Sequence, residues 1–228
     1  MAIKKQDVRR NPLAEWVGAA WRFMQAHQTA ILAVAVVLAI GASGAGVYWW
    51  YWQRQEEGAS RLLGNALAAT RSEQSTSPQP STNSAEVTKI FQEVVKQYPK
   101  TGSAEEALIA LGNMQYGEGK IDEALGSFDQ YLVSFPRGRF ILEAGLGKAY
   151  AQEAKADFDG AMKTLSTTLD HGKNDPLAGE AYISLARISE EMKKPEDAMR
   201  VYGQVVEKYP GTRWSQHALM RMTALKSK

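Results

Sequence analysis

Residues 90–107 read IFQEVVKQYPKTGSAEEA, and the phrase returns in altered form as SFDQYLVSFPRGRFILEA at 127–144 and as VYGQVVEKYPGTRWSQHA at 201–218. Each copy runs from an apolar stretch with helical spacing to an aromatic-Pro pair, and then through a short polar turn into a second helical stretch. A unit of this kind cannot bury its apolar face alone, so it must stack on its neighbours. The sequence therefore predicts an all-α fold built as a solenoid of helix pairs.

Two segments, 105–138 and 179–212, match the roughly 34-residue unit of tetratricopeptide repeats position by position. Large residues fill the seam between the two helices, Gly or Ala lets those helices approach closely, and a proline ends the second helix. The matching residues are Leu108, Leu111, Gly112, Ala124, Phe128 and Pro136 in the first segment, and Tyr182, Leu185, Ala186, Ala198, Tyr202 and Pro210 in the second. We expect both segments to form tetratricopeptide units.

A third, looser copy lies between these segments. We expect two extra residues in its internal turn, KADFDG, and three more before Pro176. Its matching residues are Leu146, Gly147, Tyr150, Ala161 and Leu165. Upstream, Phe91 and Pro99 match the second half of a further unit, whose first helix we expect within residues 57–71.

Residues 29–52 form an uncharged stretch that ends in the aromatic run VYWWYW. As a helix it would be ~36 Å long at ~1.5 Å per residue, enough to cross a ~30 Å hydrocarbon core. Tyr and Trp collect at the headgroup level, and the basic excess before the stretch favours a cytoplasmic N-terminus. We predict a single-pass membrane protein whose C-terminal domain lies across the membrane from its cytoplasmic N-terminus. In a bacterium with two membranes, this means an inner (cell) membrane protein with a periplasmic C-terminal domain. A cleaved signal peptide is the alternative, because AILAVAVVLAIGA followed by small residues also fits one.

The composition of the flanks sets the other boundaries. Residues 1–28 are predicted to be a basic cytoplasmic segment with an amphipathic helix, and residues 53–71 a membrane-proximal helix. Residues 72–84, rich in Ser and Pro, are predicted to be a flexible loop because they offer nothing to bury. Residues 85–228 form the predicted tetratricopeptide domain with a C-terminal capping helix. The apolar face of that helix consists of Trp214, Ala218, Met222 and Leu225.

The sequence carries no signature of catalysis, of a metal site or of a cofactor site. His27, His171 and His217 lack partners at metal-ligand spacing, and no catalytic or nucleotide-binding motif appears. The chain has no cysteine, which excludes disulfides, thiolate-bound metal and a lipid-bearing cysteine. A net charge of only +2 gives no indication of nucleic-acid binding. We therefore predict a protein that is not an enzyme and that needs no cofactor or metal.

Two sets of residues are candidate interaction sites. The first helices of successive units present their positions 2, 5, 9 and 12 on one surface, which suits an extended peptide or the loop of another protein. The candidates there are Glu106, Ile109, Asn113, Tyr116, Lys148, Arg187 and Glu190. Small residues within the apolar stretch permit close approach by another membrane helix. These are Ala35, Ala39, Ala42 and Gly46.

The order of these segments resembles the YfgM-like family of inner-membrane proteins. The resemblance rests on FMQAHQTAILAVAVVLAIG, the aromatic exit YWQRQ and the helix ASRLLGNALAA, followed by the repeats. Members of that family are ancillary to the SecYEG translocon, pair with the membrane-anchored periplasmic chaperone PpiD and pass exported chains to periplasmic chaperones. The resemblance implies a non-catalytic protein-interaction module whose partners are the translocon, a PpiD-like chaperone and exported polypeptides.

The repeats themselves are similar to those of envelope scaffold proteins of the BamD and CpoB types. The residues that carry this similarity are QYPKTGSAEEALIALGNMQYGEGKIDEALGSFDQYLVSFP, at 97–136. The alternative function is therefore a cell-envelope scaffold for outer-membrane or cell-wall assembly. The missing cysteine departs from the lipoprotein pattern of the first type, and the second type would require the signal-peptide interpretation of the apolar stretch.

Overall fold

The computed structural model of the protein describes residues 12–74, 84–172 and 175–227. All regular secondary structure within these ranges is α-helical, as predicted. The helices are α1 Pro12–Ala26, α2 Gln28–Gln74, α3 Ser84–Gln97, α4 Gly102–Gly117, α5 Ile121–Ser134, α6 Ile141–Ala154, α7 Phe158–His171, α8 Ala178–Glu191, α9 Pro195–Lys208 and α10 Arg213–Lys226. The chain divides into two compact units, Met1–Arg54 and Gln55–Lys228.

The first unit contains α1 and the apolar part of α2. Among the described residues, one helix is long and apolar enough to cross a membrane: Gln28–Ala68 includes an 18-residue window with a mean hydropathy of 2.3, of which none is buried. The predicted segments 29–52 and 53–71 both fall within α2. Membrane spans and signal sequences share these properties, so the topology stays a prediction. Most of the predicted loop, residues 75–83, lies outside the described residues.

The second unit is a stack of antiparallel helix pairs. The pairs are α4 with α5, α6 with α7, and α8 with α9, and α10 packs on the last of them. At the other end, Ala59, Leu63 and Ala66 of α2 share a core with Phe91 of α3. The end of α2 thus supplies the first helix of the upstream unit.

The units recur every 37 residues, with no insertion in the middle copy. Ala107, Ala144, Ala181 and Ala218 mark this interval, and all four are fully buried. The prediction of two extra residues in the turn KADFDG is therefore wrong. All three pairs join their helices through three residues, at 118–120, 155–157 and 192–194.

The Leu-Gly pair at 146–147 explains the error. It imitates Leu111 and Gly112 but lies two residues before the positions that the 37-residue interval assigns to them. Gly119 has φ 77°, and Ala156 and Lys193 take the same left-handed conformation at φ 60° and 58°. An L-residue with a side chain pays about 1–2 kcal/mol for that conformation, so glycine is the residue from which such a turn is normally predicted. In the middle turn Ala156 stands where Gly119 stands in the first, so no glycine marked the turn and revealed the slip.

The seam between helices depends on the small residues that the repeat pattern predicted. Phe128 is fully buried, and a Cβ built on Gly112 would lie 2.6 Å from its ring atom Cε1. Gly147, on the first helix of the next pair, faces the same ring. The ring therefore lies in a slot that two glycines leave open, and contact of this kind brings the helices close enough to exclude water.

Side-chain caps mark the start of α4 and of the last helix, α10. Thr101 and Thr212, which are three intervals apart, each accept a hydrogen bond from a backbone N–H of the helix that follows, at 3.1 Å from Ala104 and 3.3 Å from Ser215. The Glu56 carboxylate on α2 also accepts hydrogen bonds at the start of α4, from the N–H groups of Gly102 at 2.8 Å and Ser103 at 3.0 Å. A negative charge at a helix N-terminus is favourable because it faces the positive end of the helix dipole.

Candidate protein-docking groove

The first helices of the three pairs lie side by side, since α4 contacts α6 and α6 contacts α8. We call the surface that they share with the start of α10 the groove. An open depression of about 670 Å³ lies on it, between Asn113 of α4 and Arg213 of α10. Its floor includes Leu146 and Tyr150, and Glu143 and Glu180 stand on its walls. The depression is thus apolar at its base and charged along its sides.

Polar contacts cross the groove between neighbouring first helices. The amide of Asn113 donates to Glu143 at 3.3 Å, and the indole N–H of Trp214 donates to Glu180 at 3.1 Å. At the outer end of α4, Arg139 forms an ion pair with Glu106. Contacts of this kind set the spacing of the helices and leave the remaining acceptors of each carboxylate available to a partner.

The strongest of these contacts joins Glu153 of α6 to Arg187 of α8. The guanidinium donates two hydrogen bonds to the carboxylate, at 2.5 and 2.8 Å, in a bidentate arrangement. The hydrogen bond to Glu153 raises the pKa of Arg187 above its already high ordinary value. The Glu153 side chain is only 11% exposed and the Arg187 side chain is 42% exposed. The carboxylate is therefore held in place, while the guanidinium can still contact a ligand.

Glu190 occupies the next position of the same kind, one helix further on. Arg221 of α10 donates to it, with Nε at 3.1 Å from Oε1, and the Tyr202 hydroxyl donates to Oε1 at 2.8 Å. Burial, and then the hydrogen bond to Glu190, raise the pKa of Tyr202. The hydrogen bond to Glu190 likewise raises the pKa of Arg221. The last pair and the capping helix are therefore locked through one carboxylate.

The groove brings together most of the residues singled out in the sequence. Glu106, Asn113, Arg187 and Glu190 take part in the contacts just described. Tyr116 is exposed near the end of α4, and Ile109 is buried, with 6% of its surface exposed. The exposed candidates can reach a partner, whereas Ile109 supports the surface from beneath.

Lys148 does not lie on the groove. It lines a different cavity, between α5, α6 and α7, and its ammonium pairs with Asp129 at 2.5 Å. The cause is the two-residue slip in the middle unit, because the position 37 residues beyond Asn113 is Tyr150. The same slip left Glu143 and Glu153 out of the predicted groove, although the 37-residue interval between the repeats places them there.

Ala39, Ala42 and Gly46 are exposed in the structure, and a Cβ built on Gly46 would meet nothing within 4 Å. The side chain of Ala35 lies outside the described part of the chain. This stripe therefore has room for a partner helix, and its use stays a prediction. Among the described residues, no group of three or more His, Cys, Asp and Glu side chains is arranged to hold a metal ion.

The stacked helix pairs and the charged groove define a tetratricopeptide-type module, a class of fold that binds other proteins. The family model described as "YfiO: Outer membrane lipoprotein" matches residues 73–228, and the chain belongs to that family. The match covers the helix pairs and leaves the apolar stretch outside it.

Individual relatives agree with this assignment. The outer membrane protein assembly factor BamD of Xylella fastidiosa (strain 9a5c) is 24% identical over 137 residues, which are 60% of this chain and 40% of that protein. The chain thus matches less than half of the length of this curated relative.

Solved structures with the same fold come from varied proteins. PilF of Pseudomonas aeruginosa has a TM-score of 0.56 at 14% identity, with 75% of this chain and 68% of that chain covered. The putative kinesin light chain of Podosopora anserina, with nearly identical TPR-like repeats, has a TM-score of 0.57 at 18% identity, with 74% and 88% covered. At these identities the similarity concerns the fold alone.

Proposed function

We propose that this protein is a membrane-tethered, non-catalytic docking module on the periplasmic side of the bacterial inner membrane. The groove carries the proposal: an apolar floor with Tyr150 and Leu146 lies between charged walls that are already fixed in place. An extended peptide can lay apolar side chains on such a floor and exchange hydrogen bonds with the walls, with little cost for ordering the receptor.

The exposed apolar part of α2 supports the proposed tether. A membrane anchor holds the groove close to its clients, so that a high local concentration compensates for a weak affinity for each peptide. The predicted cytoplasmic N-terminus and the resemblance to the YfgM-like family favour a place beside the SecYEG translocon. There the groove would receive exported polypeptides and pass them to a PpiD-like chaperone.

A second function is favoured by family membership and by the BamD relatives. In this version the same groove binds components of the machinery that assembles the outer membrane or the cell wall. Both versions need an anchored groove, and they differ in the proteins that occupy it.

Partner capture separates the two versions. The full-length chain with a C-terminal tag is purified from its own membranes in mild detergent after brief crosslinking, and its partners are identified by mass spectrometry. Enrichment of translocon subunits and a membrane-anchored chaperone over an anchor-only control supports the export version. Enrichment of outer-membrane or cell-wall assembly proteins without the translocon supports the scaffold version and overturns the first.

Two variants test whether the groove is the docking surface. Asn113→Ala combined with Tyr116→Ala removes exposed groove side chains without opening the core, and Val133→Ala, at an 81% exposed site on α5, is the matched control. We expect the double variant to lose captured partners by roughly tenfold, as for truncated interface anchors, and the control to retain them. Equal capture by both would contradict a role for the groove.

A further comparison tests the tether. A soluble, exported fragment that begins at residue 53 keeps the groove and loses the apolar stretch. We expect it to restore function poorly, even at the abundance of the intact protein. Full restoration would mean that the anchor is dispensable and that local concentration plays no part.

A further inference from the structure

The middle helix pair departs from its neighbours where the seam is normally filled. At three positions, this unit has a small or polar residue where the units 37 residues before and after it have large apolar residues. The three sets are Leu108, Gly145 and Tyr182; Leu111, Lys148 and Leu185; and Tyr131, Thr168 and Val205. Leu111, Tyr131, Leu185 and Val205 are buried in their own units.

A cavity of about 320 Å³ lies beside two of these positions, Lys148 and Thr168. At the third position, Thr168 packs directly against Gly145. One wall is apolar and consists of Leu132, Pro136 and Ile141, between α5 and α6. The opposite wall belongs to α6 and α7 and is polar, with Lys148 and Lys163 at its edge. This volume is at the lower end of the range for small-molecule sites.

The polar wall is complete without a ligand. The Thr164 hydroxyl donates to the Gln152 side-chain oxygen at 2.8 Å, and the Thr168 hydroxyl donates to the Thr164 carbonyl at 2.9 Å. In a packing fault, polar groups would be left without partners. Here the hydroxyls are satisfied and the space between the walls stays open.

The two lysines differ in what neutralises them. Lys148, with its side chain 21% exposed, pairs with Asp129 at 2.5 Å. Lys163 is exposed and forms no ion pair with any residue that the structure describes. The mouth of the cavity therefore carries one uncompensated positive charge, beside an apolar wall.

We propose that this cavity binds a small monoanion that carries a carboxylate and a short apolar group, the size of one or two amino-acid residues. Lys163 meets the carboxylate, Lys148 adds positive potential, and the wall of Leu132, Pro136 and Ile141 receives the apolar group. The single uncompensated cation suits one negative charge. The site is separate from the groove and does not depend on the proposed docking function.

The test uses the full-length protein in detergent, with isotope-labelled Leu and Ile methyl groups. N-acetyl-L-leucine is the probe, and N-acetyl-L-leucinamide is the matched neutral control. We expect saturable shifts of the Leu132 and Ile141 methyl signals with a millimolar dissociation constant, as suits a ligand of so few atoms, and no saturation by the amide up to about 20 mM.

Three variants assign the effect to the cavity. Lys163→Gln removes the free cation and should weaken binding at least about tenfold. Lys148→Leu restores the residue found at this position in both neighbouring units and should abolish binding while the chain stays folded. Arg200→Gln, at the exposed position 37 residues beyond Lys163 on α9, should leave binding unchanged.

Some results would overturn the proposal. These are the absence of saturable shifts, equal binding of the amide, or an equal loss in Arg200→Gln. Inorganic phosphate is a further probe: if it bound as tightly as N-acetyl-L-leucine, with the same response to the variants, the apolar part of the assignment would be wrong.

Discussion

Replacement of Gly112 by alanine tests the close packing on which the helix pairs depend. The new Cβ would lie 2.6, 2.8 and 2.9 Å from three atoms of the Phe128 ring. Ordinary contact between carbon atoms begins at about 3.5 Å, so the ring must move by well over half an ångström. Gly147 faces the same ring from the next pair, so there is little room for that movement.

The expected magnitude follows from two opposed effects. Alanine gains about 1 kcal/mol over glycine in a helix interior, while overpacking a filled seam costs about 1–3 kcal/mol. We expect the cost to prevail, with a net destabilisation of about 1 kcal/mol. Gly126 on α5 is the matched control, because a Cβ there would meet nothing within 4 Å. Gly126→Ala should be more stable than the wild type by up to about 1 kcal/mol.

The assay is urea unfolding of the full-length chain in detergent, followed by far-ultraviolet circular dichroism. With a denaturant slope of about 2 kcal/mol/M, the two variants should differ in midpoint by about 1 M, with Gly112→Ala the lower. If Gly112→Ala unfolded at the same urea concentration as Gly126→Ala, the Phe128 ring would be free to move aside. The idea that two glycines fix the spacing of the pairs would then be refuted.

Three further predictions concern the helix ends and the buried tyrosine. Glu56→Gln should destabilise the protein by about 1 kcal/mol in the same assay, because the start of α4 loses its charged acceptor; an equal effect of Glu57→Gln, at an exposed site, would contradict this. Thr212→Ala should cost about 1 kcal/mol while Thr212→Ser keeps most of the stability, and equal losses would rule out the cap. Because burial raises the pKa of Tyr202 above its ordinary 10.0, the folded state holds this proton more tightly. The stabilisation from this shift is complete below about pH 10 and is lost as the pH rises further. The urea midpoint of Tyr202→Phe should therefore fall less between about pH 9 and pH 11 than the midpoint of the wild type. Parallel declines of the two midpoints would refute this prediction.

The repeated phrases were sufficient to predict the helical solenoid, because aromatic-Pro pairs and small residues at fixed positions report local packing directly. Phe128 and Gly112 do meet in the seam, as their positions in the unit require. The register of the middle unit was not predictable in the same way. Leu146 and Gly147 imitate Leu111 and Gly112 two residues too early, and only the 37-residue interval of the buried alanines shows the true register.

Only part of the groove could be predicted from the sequence. Helical spacing tells which residues share a face, so Arg187 and Glu190 could be assigned to one face of α8. Which carboxylate each arginine reaches depends on the distance between neighbouring helices. That distance is set by the packing of several seams, and no short stretch of sequence encodes it. Lys148 appeared as a groove residue for a different reason, the two-residue slip in the middle unit.

The constant 37-residue interval has a consequence for how the gene can change. Deletion or duplication of one whole interval joins residues that already occupy equivalent places, so that Ala107 can be followed by what normally follows Ala144 or Ala181. Recombination between repeats would then shorten or lengthen the chain by one helical hairpin without a mismatched junction. Loss of the middle hairpin would differ from loss of another hairpin, because it would remove the unit that holds the cavity.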